Sequence, residues 1–125
     1  MTRVTCLIFA LMLCACGGDD TINRTNKNKA VEDARSSFGV IRTAMVSYFK
    51  KTGEIPADAT LSTFGVDPAT LRQNWYTSYD VEIDGDKQDG YKGTKVIARP
   101  KEGTVAPELT MTFESLKTGE HAIRD

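Results

Sequence analysis

The chain has 125 residues, 40% of them hydrophobic, and 16 basic against 17 acidic side chains leave a formal net charge of −1. That length suits one small domain with one core, and a balance without a basic excess argues against nucleic acid as a partner. The three cysteines are Cys6, Cys14 and Cys16, so the body of the chain offers no disulfide, zinc cluster or thiol nucleophile.

At the N-terminus Arg3 provides a positive start, and residues 4–15 form an apolar run interrupted only by Thr5. The run is too short to span a bilayer, which takes about 20 apolar residues, but it has the proportions of a signal peptide. Leu13-Cys14-Ala15-Cys16 closes it with an aliphatic residue, a gap, a small residue and a cysteine. This tetrad resembles the lipobox of bacterial lipoproteins. The resemblance implies a signal peptide over residues 1–15, recognised at Leu13 and Ala15 by the lipoprotein signal peptidase. It also implies that Cys16 becomes the first mature residue, carrying a diacylglycerol and an N-linked acyl chain. The alternative, an ordinary secretory site cut after Ala15, would want a small residue where Leu13 stands. Gly17 in place of Asp after Cys16 favours the outer membrane by the enterobacterial pattern. The expected location is therefore the bacterial cell envelope, lipid-anchored and facing the periplasm or the surface.

Residues 17–28 are polar, with Ile22 as their one aliphatic side chain. Such a segment buries too little to offset its ordering entropy and reads as a flexible tether over 16–29. The sequon Asn23-Arg24-Thr25 falls within it and reads as linker. Order is expected from Asn28, a candidate N-cap. Beyond it Val31, Ala34, Phe38, Ile41, Met45, Tyr48 and Phe49 recur at mostly three- and four-residue spacing, the period of an amphipathic helix. Glu32 and Asp33 would occupy its first turn and Lys50 and Lys51 its last, as the helix dipole prefers. Gly53 reads as the C-cap with Pro56 beyond it, and Gly39 predicts a bend or a close backbone approach.

Asp67-Pro68 then predicts the start of a short second helix ending near Arg72. Tyr79, Val81 and Ile83 alternate with Asp80 and Glu82, the period of a half-buried strand. A turn over residues 84–90 leads to a returning strand over 94–99. Leu109, Met111 and Phe113 predict the next strand, and His121 to Ile123 an edge strand. The fold class is α+β, with one N-terminal amphipathic helix packed across a 3–4-stranded antiparallel β-meander over residues 30–125.

Gly39-Val40-Ile41-Arg42-Thr43-Ala44, Tyr48-Phe49-Lys50-Lys51-Thr52-Gly53-Glu54-Ile55-Pro56, residues 61–67 and Trp75 to Val81 together resemble the headgroup of type IV pilins and type II secretion pseudopilins. The resemblance covers residues 30–83, and the later strands by pattern only. It implies a pilin-like headgroup. The chain departs from that family at its start: the prepilin-peptidase site, a Gly followed by Phe and then Glu five residues on, is missing, as is the hydrophobic half-helix that packs filament cores. A filament subunit is thus not expected, and fold likeness alone carries no function.

Three groups of side chains are candidate sites. Asp84, Asp86 and Asp89 resemble a calcium loop, as in major pseudopilins, but Gln88, Asp89 and Lys95 stand at the fifth, sixth and twelfth positions, where an EF-hand needs a ligand, Gly and Glu. A solvated hairpin turn is the competing reading. His121 is the one histidine and lacks a nucleophile motif, which makes it a surface or edge-strand residue. Trp75, Tyr76 and Tyr79 form an aromatic cluster in which Tyr79 belongs to the core, while Trp75 and Tyr76 could present a face to a partner or a glycan. The expected function is that of a non-enzymatic envelope lipoprotein acting through protein contacts, as an accessory to a secretion or pilus system. The alternative is a small ligand- or Ca2+-binding lipoprotein.

Overall fold

Apolar side chains at helical spacing need a second surface to cover them, and a four-stranded sheet provides it. The computed structural model describes residues 21–71 and 73–125. Helix α1 is assigned over Thr2–Thr52, and its described part, residues 21–52, places Ala30, Ala34, Phe38, Ile41, Met45 and Phe49 in the core. Each large side chain among these contributes about 1.5–3 kcal/mol by leaving water. Tyr48 is half-buried and stands edge-on to Phe64, ring centroids 5.3 Å apart.

The helix begins earlier than its apolar stripe. Asn28, expected to cap it, lies inside α1, and Glu32 and Asp33 therefore sit beyond its first turn. The segment expected as a flexible tether is helical over residues 21–29, with every side chain exposed except the half-buried Asn26. Residues 21–38 contain neither Gly nor Pro, so nothing local breaks the helix, and Thr25 Oγ1 donates back to the Thr21 carbonyl at 2.8 Å.

Gly39 corrects a second expectation. It marks no close approach, because it is exposed and a Cβ built there would meet nothing within 4 Å, and the helix runs through it without a break. Gly39→Ala should therefore stabilise the protein by about 0.5–1 kcal/mol through better helix propensity. A rise in the urea midpoint with unchanged slope would verify this.

At its C-terminus α1 ends as expected, with Gly53 at φ 76° and its amide donating to the Phe49 carbonyl at 2.8 Å. Two 3-10 turns follow. Leu61–Phe64 buries Leu61 and Phe64; three-residue spacing of two apolar residues is too short a signal to read from sequence. Pro68–Thr70 takes the place of the expected second helix, with the Asp67 carboxylate accepting from the Ala69 amide at 3.0 Å. The expected end at Arg72 lies outside the described residues.

Strands β1 (Tyr76–Glu82), β2 (Lys95–Pro100), β3 (Leu109–Ser115) and β4 (Glu120–Arg124) pair in chain order as an antiparallel meander. The register sets Tyr79 beside Ala98 and Leu109, and Val81 beside Val96, Met111 and Ile123. These rows face α1, and Phe38 meets Tyr79 edge-on at 5.7 Å. The opposite face carries Asp80, Ile97, Thr110 and Arg124 in one row and Glu82, Lys95, Thr112 and Ala122 in the next. No helix or strand among the described residues is paired with that outer face. Arg42, half-buried on α1, donates from Nε to the Gly119 carbonyl at 2.8 Å and ties the β3–β4 turn to the helix.

Candidate functional site

Leu13, Ala15 and Cys16 lie outside the described residues, so the N-terminal site is carried by sequence alone. Among the described residues no helix is long and apolar enough to cross a membrane.

The acidic turn is built from its own side chains. Asp86 Oδ1 accepts from the amides of Gln88 and Asp89 at 2.9 and 3.0 Å, and Asp89 Oδ1 from those of Asp86 and Lys92 at 3.0 and 3.2 Å. Asp84 Oδ1 accepts from the Gly85 amide at 2.8 Å. The amide of Asp86, with those of Lys92 and Tyr91, holds the Asp89 carboxyl below its ordinary pKa, since bonds to the charged form favour it. One oxygen of each carboxylate is thus engaged by backbone, and among the described residues no group of three or more His, Cys, Asp or Glu is placed to hold a metal ion. The turn also carries a packing function. It presents Tyr91, at φ 58°, to the core, where its ring meets Phe49 edge-on at 5.5 Å and its hydroxyl accepts from the Ile55 amide at 2.8 Å.

The aromatic cluster separates differently from the expectation. Tyr76 is 0% exposed and is no contact residue; its hydroxyl donates to the Pro107 carbonyl at 2.7 Å. The reason is an irregularity in the pairing between Tyr76 and Ser78. Strict alternation counted back from Tyr79 would put Tyr76 outside, but the extra residue turns it inward. Trp75 is half-buried and packs against the core, and Tyr79 is buried as expected.

Tyr76 also gives the fold an alkaline limit. Burial, then the neighbouring Tyr79 and Asp33, push its pKa from 10.0 up to about 12. A raised folded-state pKa favours the neutral phenol, so its contribution is complete below pH 10 and declines as pH rises from 10 through 12. Thermal midpoints should fall over that window. Tyr76→Phe should flatten the decline, leaving the part due to Tyr79, whose pKa burial also raises.

A shallow depression of about 180 Å³ lies between α1 and the second 3-10 turn, lined by Ser36, Ser37, Val40, Thr70 and Leu71. It is smaller than the roughly 300–1,000 Å³ of small-molecule sites. Among the described residues no buried side-chain polar atom lacks a hydrogen-bond partner. His121 sits exposed on β4 with its ring 6.2 Å from that of Phe113 and Nδ1 2.9 Å from the Gly119 carbonyl.

The outer sheet face carries polar side chains around Ile97, which is buried. Arg99 there donates to Asp80 at 3.0 Å and to Glu108 at 3.2 Å, fixing its charges on one half of the face. Sequence reasoning places the strands and expects one face of the sheet, with the aromatic cluster, to be the contact surface. Its signal was available in the polar positions that alternate with the core residues of β1 and β3. Compared with family models, curated proteins and solved structures, the chain has no significant match.

Proposed function

We propose that this is a lipid-anchored protein of the bacterial cell envelope whose pilin-like headgroup acts through protein contacts, without an enzymatic activity. Cys16 carries the acyl chains, residues 17–29 space the domain from the bilayer, and the outer sheet face meets the partner, a component of a pilus or secretion system. Trp75, at the start of β1, extends that contact surface. The observation that most supports this reading is the division of labour along α1. Its apolar stripe from Ala30 onward is buried in the core, while residues 21–29 are exposed apart from the half-buried Asn26 and precede it in the direction of Cys16.

Two or more acyl chains hold a protein to a membrane stably, whereas a short apolar segment does not. Cys16→Ser should therefore shift the protein from the membrane pellet to the alkaline-wash supernatant by about tenfold or more, with its circular dichroism unchanged. Equal retention of both forms would defeat the lipid anchor.

A further inference from the structure

The free edge of β4 is complementary to itself. The Phe113 amide donates to the Thr94 carbonyl, and the Phe113 carbonyl accepts from the Gly93 amide, so the backbone of Phe113 points toward β2. In an antiparallel ladder these directions alternate along the strand. Thr112 and Thr110 therefore point toward β4 and take up the backbone of their partners Ala122 and Arg124. That leaves the amides and carbonyls of His121 and Ile123 directed away from β3. The sheet ends there, since β4 has β3 as its only strand neighbour among the described residues.

We propose that a second copy of this chain pairs on that edge, β4 against β4 antiparallel, about a two-fold axis at Ala122. In this register His121 of each strand exchanges both backbone hydrogen bonds with Ile123 of the other, four bonds in all. Ala122 faces Ala122, and Glu120 faces Arg124 on the same side of the sheet, twice. Charge selects this register. Glu120 and Arg124 are exposed, and neither is in an ion pair among the described residues. The directly opposed residues of an antiparallel pair lie close enough for opposite charges to attract and like charges to repel. The strand has no proline to block pairing and no like-charge run to repel a copy, the usual protections of an exposed edge. The result is an eight-stranded sheet continuous across two domains, with Arg42 holding each β3–β4 turn in place.

Sedimentation of the full-length chain in detergent micelles, over a range of concentration, tests the proposal. The unmodified chain should pass from monomer to dimer as concentration rises. Glu120→Arg and Arg124→Glu alone should each weaken the dimer about tenfold or more, because each opposes like charges twice. Mixed one to one, the two variants should regain a dimer, since every opposed pair is again of opposite sign. Both substitutions lie on exposed positions, and circular dichroism of each variant confirms the fold. A chain that stays monomeric throughout, or a dimer indifferent to both charge changes, would overturn the proposal.

Discussion

Phe38→Ala should destabilise the protein by about 3–5 kcal/mol, the usual cost of truncating a buried phenylalanine. Phe38 is 1% exposed and lies midway along the buried stripe of α1, with its ring edge-on to Tyr79 at 5.7 Å and 86°. Its removal leaves a void bounded by a helix on one side and a paired strand on the other, neither of which can collapse without breaking backbone hydrogen bonds. Against a typical domain stability of about 5–15 kcal/mol, this loss is about a fifth or more. Urea unfolding measures it as a fall in midpoint at constant slope. Val40→Ala, two residues on and 50% exposed, serves as the control and should be near neutral. A Phe38→Ala loss below about 1 kcal/mol would mean that α1 is not seated on the sheet at this point.

Gly85→Ala is the second large effect, and it acts through backbone rather than core. Gly85 has φ 71°, and a Cβ there would lie 2.8 Å from the Lys92 carbonyl oxygen, 2.9 Å from the Lys92 nitrogen and 2.8 Å from Asp89 Oδ1. The left-handed conformation alone costs an alanine about 1–2 kcal/mol, and two of the three opposing atoms are backbone that cannot rotate aside. Gly53→Ala separates the two costs, because Gly53 has φ 76° with nothing within 4 Å of its Cβ position. Gly53→Ala should lose about 1–2 kcal/mol, and Gly85→Ala distinctly more. Equal losses would show that the turn relaxes around the methyl group. Because the turn carries Tyr91 to Phe49 and to the Ile55 amide, the Gly85 variant should also alter the near-ultraviolet signal of the aromatic core.

How far the sequence could be read depended on whether a residue's position was governed by its own period or by its neighbours. Leu109, Met111 and Phe113 alternate without interruption, and all three are buried where the period puts them. The stripe from Ala34 to Phe49 and the Gly53 cap were equally legible, because helix period and capping are local. Tyr76 was not, since the extra residue of β1 beside it is defined only by the pairing with β2 and has no marker in the local sequence. The start of α1 was misjudged for a related reason: burial begins at Ala30, but a helix continues until something breaks it. The three aspartates admit two readings from sequence, because carboxylates that cap turns and carboxylates that bind cations occur at similar spacings. Which backbone amides each carboxylate accepts from is set by the shape of the turn and not by that spacing.

The claim on which the functional account rests is acylation at Cys16, and tandem mass spectrometry of the N-terminal peptide, purified from the native envelope, measures it directly. The account predicts a peptide beginning at Cys16 and bearing a diacylglycerol, with or without the N-linked third chain. A mature peptide that begins elsewhere, or a Cys16 without lipid, would contradict it and leave the domain without its proposed place on the membrane.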